Sequence, residues 1–396
     1  MRPFSLLSAA LALAPVAAVA APGGSEIEVT AGAHGCRRAV ARVVLPYSPT
    51  AAQVRGGEAW PVQVRKVAGG YEATWLVDGL REDEKRVYLL ARTGKAPQAA
   101  GMKAAKVAGG IEVRAGDRLL MKYDTSTGPN KPYLYPLLAP DGTLMCRQYP
   151  LAKVAGESAD HPHHRGLWWT HGAVNGGDYW SETSTKAHTV DLAAAQKVES
   201  GPVFARLTTA TDWIGPDGVR VGKDAREVTV YAPGDVLDFV ITFTAGPAKV
   251  TFGDTKEGSL GVRLPDEMIV DRGKGHIVTS TGIMDGKAWG MRAPWVDCYG
   301  PVAGKTMGMA MADHPANPRF PTWWHVRTYG LFAANPFGIH DFEKKPAGTG
   351  DMVVEAGESV TFRYRVYLHA GEPEAAGVAQ VCGSFIDPPR AVVRTR

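Results

Sequence analysis

Beyond its first twenty residues, the sequence has no long apolar run. No later stretch approaches the ~18 uninterrupted apolar residues that a membrane-spanning helix needs, so we expect no membrane insertion. Lysine and arginine are scattered without a basic block, which argues against nucleic acid as a partner. The G-x-S-x-G, H-E-x-x-H, P-loop and dinucleotide-binding motifs are also absent. The enzyme classes built on those motifs therefore have no support in the sequence.

Cysteine is scarce, and the four residues are far apart: Cys36, Cys146, Cys298 and Cys382. Their wide spacing excludes a zinc ribbon. In an exported protein they allow three different disulfide pairings, and isolated buried thiols are the alternative. The sequence leaves both open.

The first residues have the features of a secretory leader. Arg2 precedes the apolar run 6–19, and Ala18-Val19-Ala20 forms an A-x-A cleavage pattern. This predicts a signal peptide over residues 1–20. We therefore expect a periplasmic or secreted protein.

The rest of the chain is dominated by short β-rich runs separated by glycine and proline turns. Such runs over residues 21–92 predict a small β-sandwich, and the Ala-, Lys- and Gly-rich stretch 93–110 predicts a linker. Residues 111–396 continue with β-runs roughly every ten residues, and only 372–379 looks helical. The predicted fold class is all-β, with a small sandwich followed by a large one.

One stretch, residues 160–180, concentrates titratable and aromatic groups as DHPHHRGLWWTHGAVNGGDYW. Its glycines and proline loosen or break a helix, which predicts a loop that carries function on the β scaffold. Successive side chains of an extended segment alternate faces. His161 and His163 can therefore share a face while His164 and Arg165 point elsewhere.

Two chemistries fit these histidines. Imidazole near its unperturbed pKa suits general acid–base work and hydrogen bonding to a polyol, and this interpretation requires no cofactor. Alternatively, His161 and His163 chelate a divalent metal, since imidazole binds zinc, copper and iron. The spacing identifies no third ligand. Trp168 and Trp180 in the same stretch offer flat apolar faces that suit sugar rings, although bulk core is the commoner use of tryptophan.

Two further segments carry candidate groups. In Asp254-Thr255-Lys256-Glu257-Gly258, Glu257 is a candidate acid or base, and a solvated turn is the alternative. In WWHVRTYGLFAANPFG, residues 323–338, His325 and Arg327 alternate with apolar neighbours. That alternation predicts that both lie on one face of a strand.

These segments resemble a known family. DHPHHRGLWWTHGAVNGGDYW, GDTKEGSLGVR and WWHVRTYGLFAANPFG together resemble a bacterial exported family of unknown function whose members carry the label PmoA family. Genes of that family lie beside carbohydrate-catabolic genes, so the resemblance implies a role with sugars. The segment VEAGESVTFRYR near the C-terminus is similar to the last strands of galactose-mutarotase-type supersandwiches. This implies that the large domain is such a supersandwich, with histidines and carboxylates acting on a sugar.

We therefore predict an exported carbohydrate-active enzyme that acts on a glycan or sugar derivative by general acid–base chemistry, in hydrolysis, elimination or epimerisation. The alternatives are a metal-dependent oxygenase or hydrolase that uses the histidine cluster, and a non-catalytic glycan-binding protein with Trp168, Trp169 and Trp180 as its platform. The residues predicted to be catalytic, and to converge on one pocket, are His163, His164, Glu257, His325 and Arg327. Those predicted to bind substrate are His161, Arg165, Trp168, His171, Asp178, Trp180, Trp324 and Asn335.

Overall fold

The computed structural model describes residues 23–54, 57, 59–94, 97, 99–126, 131–182 and 186–394. The predicted signal peptide, residues 1–20, lies outside the described residues. The structure is 49% strand and 9% helix, which confirms the all-β class.

Short strands follow one another through the first half of the chain. They are β1 (Gly24–Thr30), β2 (Ala39–Leu45), β3 (Ala51–Val54), β4 (Ala59–Trp60), β5 (Gln63–Val67), β6 (Gly70–Val77), β7 (Lys85–Ala91), β8 (Met102–Val107), β9 (Gly110–Ala115), β10 (Arg118–Asp124), β11 (Tyr133–Leu137), β12 (Leu167–His171), β13 (His188–Asp191) and β14 (Lys197–Glu199).

The second half adds longer strands and the α-helices. The strands are β15 (Phe204–Ile214), β16 (Arg220–Tyr231), β17 (Val236–Ala245), β18 (Val250–Phe252), β19 (Gly258–Arg263), β20 (His276–Thr279), β21 (Trp295–Val302), β22 (Lys305–Asp313), β23 (Trp323–Val326), β24 (Leu331–Asn335), β25 (Met352–Val354), β26 (Ser359–Ala370) and β27 (Arg390–Val393). The helices are α1 (Ile339–Glu343), α2 (Pro373–Ala376) and α3 (Val378–Ile386), and single 3₁₀ turns lie at Ala193–Ala195, Asp266–Met268, Val270–Arg272 and Asp285–Ala288.

Two small sheets form a sandwich at the N-terminal end. One has the strand order β27-β1-β7-β3-β4, and the other has the order β2-β6-β5. Alternating burial along β1 and the end of β6 places Ile27, Val29, Trp75 and Val77 in one apolar cluster between the sheets. This cluster is separate from the main core.

Two large sheets enclose the main core. The eight-stranded sheet has the order β23-β24-β19-β12-β11-β10-β9-β8, and the nine-stranded sheet has the order β13-β15-β16-β17-β26-β22-β21-β20, with β14 paired to β15. Trp169, Leu260 and Phe332 of the eight-stranded sheet pack in the main core with Phe239 and Ile241 of the nine-stranded sheet. We call the side of the eight-stranded sheet that faces this core its inner face.

The opposite side, here called the outer face, is defined by a row of residues that lie directly across from one another on five adjacent strands. The row reads Tyr133, Trp168, Gly261, Ala333 and His325. Since neighbours along a strand alternate faces, these five residues point away from the main core. The candidate site lies on this outer face.

Helices α2 and α3 pack between the nine-stranded sheet and the small sandwich. Val378 and Val381 of α3 join Tyr231 and Ala310 in a third apolar cluster, against which Val40 of β2 packs. Polar contacts cross the same junction: the Arg38 Nε lies 2.9 Å from the Asp235 carboxylate, and Arg42 donates to the Tyr231 hydroxyl at 2.9 Å.

The structure corrects two boundaries expected from sequence. The stretch expected to be a linker, 93–110, contains β8, which pairs with β9 in the eight-stranded sheet. The large domain was expected to continue to residue 396, but β27 pairs with β1 of the small sandwich, with Val393 opposite Ile27. Composition suggested flexibility in the first case, whereas the alternating burial of Met102 and Ala104 holds the segment in a sheet. The division into two domains itself remains a prediction.

All four cysteines are buried free thiols, so of the two interpretations left open the structure shows isolated thiols. Among the described residues, no helix is long and apolar enough to cross a membrane.

Candidate functional site

The centre of the outer face is built from small residues covered by tryptophans. A Cβ atom on Gly261 would lie 2.8 Å from the Trp180 ring and 3.2 Å from the Trp168 ring. Glycine at this position therefore lets both indoles approach β19 closely. Trp168 and Trp180 are fully buried, with ring centroids 4.8 Å apart.

A row of parallel rings leads from the surface to this centre. The Tyr329 and His161 rings stack with centroids 5.2 Å apart, and His161 and His164 stack at 4.8 Å. His164 in turn stacks on Trp168 at 5.3 Å. His161 is 41% exposed whereas His164 is 1% exposed, so this ring row passes from solvent into the protein.

A carboxylate and two buried guanidinium groups lie beside the ring row. Arg263 Nη2 donates to Asp160 Oδ1 and Oδ2 at 2.8 and 3.1 Å. Arg147 also donates to the Asp160 carboxylate, and its Nη2 donates to the backbone oxygens of Asp160 and His161 at 2.8 and 3.2 Å. Burial alone would raise the pKa of Asp160, but Arg263, Arg147 and His161 outweigh it and hold the pKa at about 2.

Tyr329 lies where the three sequence segments meet. Its ring is covered by the guanidinium carbons of Arg263 and Arg327, 4.7 and 5.5 Å from the ring centroid. Burial raises the pKa of its phenol, Arg327 and Arg263 lower it, and Glu257 and Asp160 raise it further. All four charged groups therefore lie within electrostatic reach of the phenol.

Glu257 is at the accessible edge of the site. Its side chain is 36% exposed and lies 3.3 Å from the Lys256 ammonium group. The backbone on either side of it is fixed, because Gly172 donates to the Glu257 carbonyl at 2.7 Å and Asn335 Nδ2 donates to the Lys256 carbonyl at 2.8 Å.

His325 and Asn335 fix the loop that contains Lys256 and Glu257 by hydrogen bonds to its backbone. His325 is buried and its Nδ1–H donates to the Lys256 carbonyl at 2.7 Å, which leaves Nε2 as the acceptor nitrogen. Burial is the main cause that lowers the pKa of His325 to about 3. Asn335 also accepts from the Phe337 and Gly338 amides at 2.8 and 3.0 Å. Asn335 was expected to bind substrate, but its amide is committed to backbone groups.

A buried lysine borders the other end of the ring row. The Lys131 Nζ donates to the Trp180 carbonyl at 2.6 Å and lies 3.3 Å from the Glu182 carboxylate. Glu182 also accepts from Arg165. Burial lowers the pKa of Lys131 to about 8, although Glu182 acts in the opposite direction. Arg165 and Lys131 therefore share one carboxylate.

His163 and His164 are neutral at pH 7, because the pKa of each is lowered. Burial, with a further contribution from Lys131, lowers the pKa of His163 to about 4. Burial also lowers the pKa of His164 far below its ordinary value, and His163, His161 and Arg263 act in the same direction. A neutral imidazole accepts a proton or a hydrogen bond, so these side chains are bases and not acids at neutral pH.

Of the residues predicted from the sequence, the outer face brings together His161, His163, His164, Trp168, Trp180, Glu257, His325 and Arg327. Arg165 and Asp178 border them. Asp178 is engaged in a turn, because its Oδ1 accepts from the Trp180 and Ser181 amides, each at 2.9 Å.

Two predicted substrate-binding residues lie elsewhere. His171 is buried on the inner face, where its ring lies 4.5 Å from that of Phe337 and its Nε2–H donates to the Gly253 carbonyl at 2.7 Å. Trp324 is fully buried in the main core and donates to the Ala293 carbonyl at 2.9 Å. Each of these two side chains points to the other side of its strand, so neither joins the groups on the outer face.

The structure also argues against the two alternatives in their expected form. Trp168, Trp169 and Trp180 are at most 2% exposed, so they form no exposed platform for a glycan. Within the described ranges, no group of three or more His, Cys, Asp or Glu side chains is placed to hold a metal ion.

Four residues of the site were not predicted from the sequence: Arg147, Arg263, Tyr329 and Lys131. Arg263 and Tyr329 are part of the motifs quoted above, and Tyr329 lies in the turn between β23 and β24. Period-two spacing along β19 relates Arg263 to Gly261. That spacing was a usable signal. Arg147 and Lys131 come from ordinary stretches, and only the fold brings them to the site.

Several solved structures are similar in part to this chain. A protein in the Glycosyl Hydrolase Family 38 from Enterococcus faecalis is 12% identical, with a TM-score of 0.41 over 96% of this chain and 49% of that one. An alpha-mannosidase from Enterococcus faecalis V583 is 12% identical, with a TM-score of 0.45 over 96% of this chain and 47% of that one. A galactose mutarotase-like protein from Lactobacillus casei ATCC 334 is 9% identical, with a TM-score of 0.30 over 68% of this chain and 100% of that one.

This chain spans about half the length of the first two proteins. The comparison with curated proteins finds no match.

The family comparison is more specific, because a family of unknown function (DUF6807) matches residues 110–382. The match includes all three motifs on which the resemblance to a family of unknown function rested, and it confirms that resemblance. The PmoA label stays a prediction. Since the match covers more than half of the chain, the protein belongs to this family of unknown function (DUF6807).

Proposed function

We propose that the protein is a carbohydrate-active enzyme that uses general acid–base chemistry on a glycan or sugar derivative at the outer face. The observation that carries the proposal is that a carboxylate, a phenol, imidazoles and guanidinium groups meet at one half-exposed place, around Tyr329. Such groups hydrogen-bond hydroxyls in either direction. A few convergent polar groups beside aromatic rings are typical of a small-molecule site.

The electrostatics assign roles within this proposal. His163, with a pKa of about 4, is neutral at pH 7, so its unprotonated ring nitrogen accepts a hydrogen bond from a hydroxyl. Burial raises the pKa of the Tyr329 phenol, which therefore keeps its proton at neutral pH and is the donor. Glu257 supplies the accessible carboxylate, and Arg327 faces the charge that develops on an oxygen of the substrate. Hydrolysis, elimination and epimerisation all need such a donor and acceptor pair.

Export belongs to the same proposal. The predicted signal peptide over residues 1–20 would bring the enzyme to the periplasm or the medium, where polysaccharides and their fragments are the available substrates. Mass spectrometry of the exported protein would show whether its first residue follows Ala20.

The proposal predicts that Glu257→Gln removes turnover and leaves the fold intact. The change keeps the shape of an exposed side chain and removes its titratable group, and loss of a catalytic acid or base costs about 10²–10⁴-fold in rate. The measurement is product formation from a panel of polysaccharides and oxidised glycosides by the wild type and the variant.

The matched control is Glu355→Gln, because Glu355 is also exposed but lies in the turn before β26, outside the site. Its rate should equal that of the wild type. Unchanged turnover in Glu257→Gln would remove Glu257 from the mechanism. If the wild type binds sugars and turns none over, the protein is a glycan-binding protein.

A further inference from the structure

Glu257 lies at the centre of a tight three-residue turn. The Gly258 amide donates to the Lys256 carbonyl at 3.0 Å, which is the i→i+2 hydrogen bond of a γ-turn. The Glu257 amide donates to the Thr255 hydroxyl at 3.2 Å, and the Glu257 carbonyl accepts from the Gly172 amide at 2.7 Å. A turn this short fixes the direction in which its central side chain leaves the backbone. The position of the Glu257 carboxylate therefore depends on this turn.

The Lys256 carbonyl, which closes this turn, also accepts from two buried side chains. The His325 Nδ1–H donates to it at 2.7 Å, and the Asn335 Nδ2 donates to it at 2.8 Å. Both side chains are buried, and they come from the adjacent strands β23 and β24. A carbonyl oxygen has two lone pairs, and this one receives hydrogen bonds from three donors. The turn is therefore attached to the sheet through a single backbone oxygen.

The amide side of the same residue is held by another element. The Lys256 amide donates to Asp341 Oδ2 at 2.8 Å, and Asp341 is a partly exposed residue in the first turn of α1. Gly172, which follows β12, leaves room for the turn, because a Cβ atom there would lie 2.8 Å from the Glu257 Cβ. Parts of the chain that are distant in sequence therefore converge on the backbone that carries one accessible carboxylate.

The His325 ring is enclosed apart from this hydrogen bond. The rings of Trp289 and Phe342 pack against it in T-shaped arrangements, with centroids 6.4 and 6.2 Å away. With Nδ1–H committed to the Lys256 carbonyl, only Nε2 is left to act as a base. The pKa of the ring is lowered to about 3, mainly by burial. A general base works best when its pKa lies near the operating pH, so His325 is a poor base at neutral pH.

We propose, resting on the proposed function, that His325 and Asn335 are positioning residues, which hold the Lys256 carbonyl and thereby orient the Glu257 carboxylate towards the substrate. Neither side chain touches the substrate or transfers a proton. The working group of His325 is its Nδ1–H, and its Nε2 takes no part in the reaction. This role differs from the catalytic one that the sequence predicted for His325.

The test separates the two ring nitrogens of His325 by two amide substitutions. The amide nitrogen of asparagine is bonded to Cγ, as Nδ1 of histidine is, whereas that of glutamine lies one bond further out, as Nε2 does. His325→Asn should therefore keep the donor to the Lys256 carbonyl, and His325→Gln should lose it. Glutamine fills more of the volume of the ring than asparagine does, so a loss of packing alone would give the opposite order.

Two measurements on the full chain compare these variants. Amide hydrogen exchange of residues 255–259 should be about tenfold faster in His325→Gln than in the wild type, as the loss of one hydrogen bond implies, and His325→Asn should stay close to the wild type. The substrate is the polysaccharide or oxidised glycoside that the wild type turns over. For it, kcat should fall by about 10²-fold in His325→Gln with little change in KM, because the carboxylate is misplaced while the other substrate contacts remain. His325→Asn should restore most of kcat.

A second pair of variants makes the same test at a partly exposed residue. Asp341→Ala removes the acceptor of the Lys256 amide, so it should speed exchange in the turn and lower kcat, as His325→Gln does. Asp341→Asn keeps an oxygen acceptor and should retain more of both protection and kcat than Asp341→Ala. Thermal unfolding of all four variants identifies one that fails to fold. If His325→Gln does not fold, the Asp341 pair decides the outcome.

Three results would overturn the positioning role. One is hydrogen exchange in the turn that is the same in His325→Asn and His325→Gln. Another is a kcat in His325→Asn as low as that in His325→Gln, because Nε2 then takes part directly. The third is a turn that loosens in His325→Gln without loss of kcat, because Glu257 then needs no fixed position. If the wild type turns over no sugar, the proposed function fails, and hydrogen exchange alone decides whether His325 holds the turn.

Discussion

Two buried arginines depend on the Asp160 carboxylate, which itself is 42% exposed. Removal of this carboxylate leaves buried positive charge uncompensated, which is among the costly changes in a protein. Asp160 also accepts from His161 at 3.0 Å, so the same carboxylate orients the outermost imidazole of the ring row. The residue therefore links stability to the geometry of the site.

We expect Asp160→Asn to lower the free energy of unfolding by about 1–2 kcal/mol at pH 7, after allowance for solvent screening of a partly exposed group. The pKa of Asp160 in the folded state is about 2, below its unfolded value of about 3.9. The stabilisation is therefore fully present above about pH 5 and is lost as the pH falls towards 2. Urea unfolding of both proteins at pH 7, 4 and 2.5 measures this.

The control for that series is Asp117→Asn, because Asp117 is exposed in the turn between β9 and β10. It should change stability little at any pH. If Asp160→Asn lowered the free energy of unfolding as much at pH 2.5 as at pH 7, the ionised carboxylate would not be the cause of the loss.

At the scale of single residues, the sequence predicted the side chains that are concentrated in one short stretch. It did not predict those whose importance depends on partners distant in the chain. His161, His163 and His164 were found by their density in one stretch. Arg147 and Lys131 have no local signal, since their importance comes from burial and from partners distant in the chain. Burial of a charge is a property of the fold, so composition and spacing do not reveal it.

At the scale of elements, β19 and β24 owe their place in the site to small side chains. Gly261 and Ala333 face each other on the outer face, and the absence of bulk there admits the Trp180 ring against β19. Rings packed on a strand in this way leave no room for another side-chain atom.

Gly261→Ala should therefore destabilise the protein by about 1–3 kcal/mol, the usual cost of overpacking, and should displace Trp180. The new Cβ would lie 2.8 Å from a rigid buried ring, so a ring or a strand must move. Thermal unfolding and intrinsic tryptophan fluorescence measure the two effects. Gly286→Ala is the control, because its nearest neighbour, the Thr328 side chain, is 3.6 Å away. Equal stability of the two variants would contradict the packing argument.

The face to which a side chain points could be predicted where burial alternates regularly along the strand. Where burial does not alternate, the same pattern was misleading. In β1 the alternation of buried and partly buried residues is regular from Ser25 onwards, and the strand lies in the stretch 21–92 that was predicted to be a small β-sandwich. In β23 every residue of Trp-Trp-His-Val is buried, because both faces of the strand are covered. A period of two then carries no information about direction, and Trp324, which was predicted to bind substrate, lies on the inner face.

At the scale of the whole molecule, a helix and a returning strand connect the small sandwich and the large one, in addition to the polar contacts across their junction. Helix α3 packs between them, and β27 returns from the far end of the chain to pair with β1. A strand of four residues carries no local feature that identifies the strand with which it pairs. The pairing of β27 with β1 could therefore not be predicted from the sequence.

Deletion of residues 389–396 should destabilise the small sandwich by about 2–4 kcal/mol, from the lost ladder hydrogen bonds and the burial of Ala391 and Val393. Hydrogen exchange should show lost protection in β1 and β7, while β19 and β24 stay protected. Deletion of residues 395–396 alone is the control and should leave exchange unchanged. Full protection of β1 in the longer deletion would show that β27 contributes nothing to the sheet.

The pairing of β27 with β1 has a consequence for biosynthesis. Among the described strands, the ribosome makes β1 first and β27 last. The five-stranded sheet is therefore complete only after nearly the whole chain has been synthesised, when β27 pairs with the free edge of β1. Contacts between residues so far apart in sequence are slow to form, and an unpaired strand edge invites association with other chains. The sheet whose first strand is synthesised earliest is therefore completed latest, and during translation β1 keeps one unpaired edge until β27 has been made.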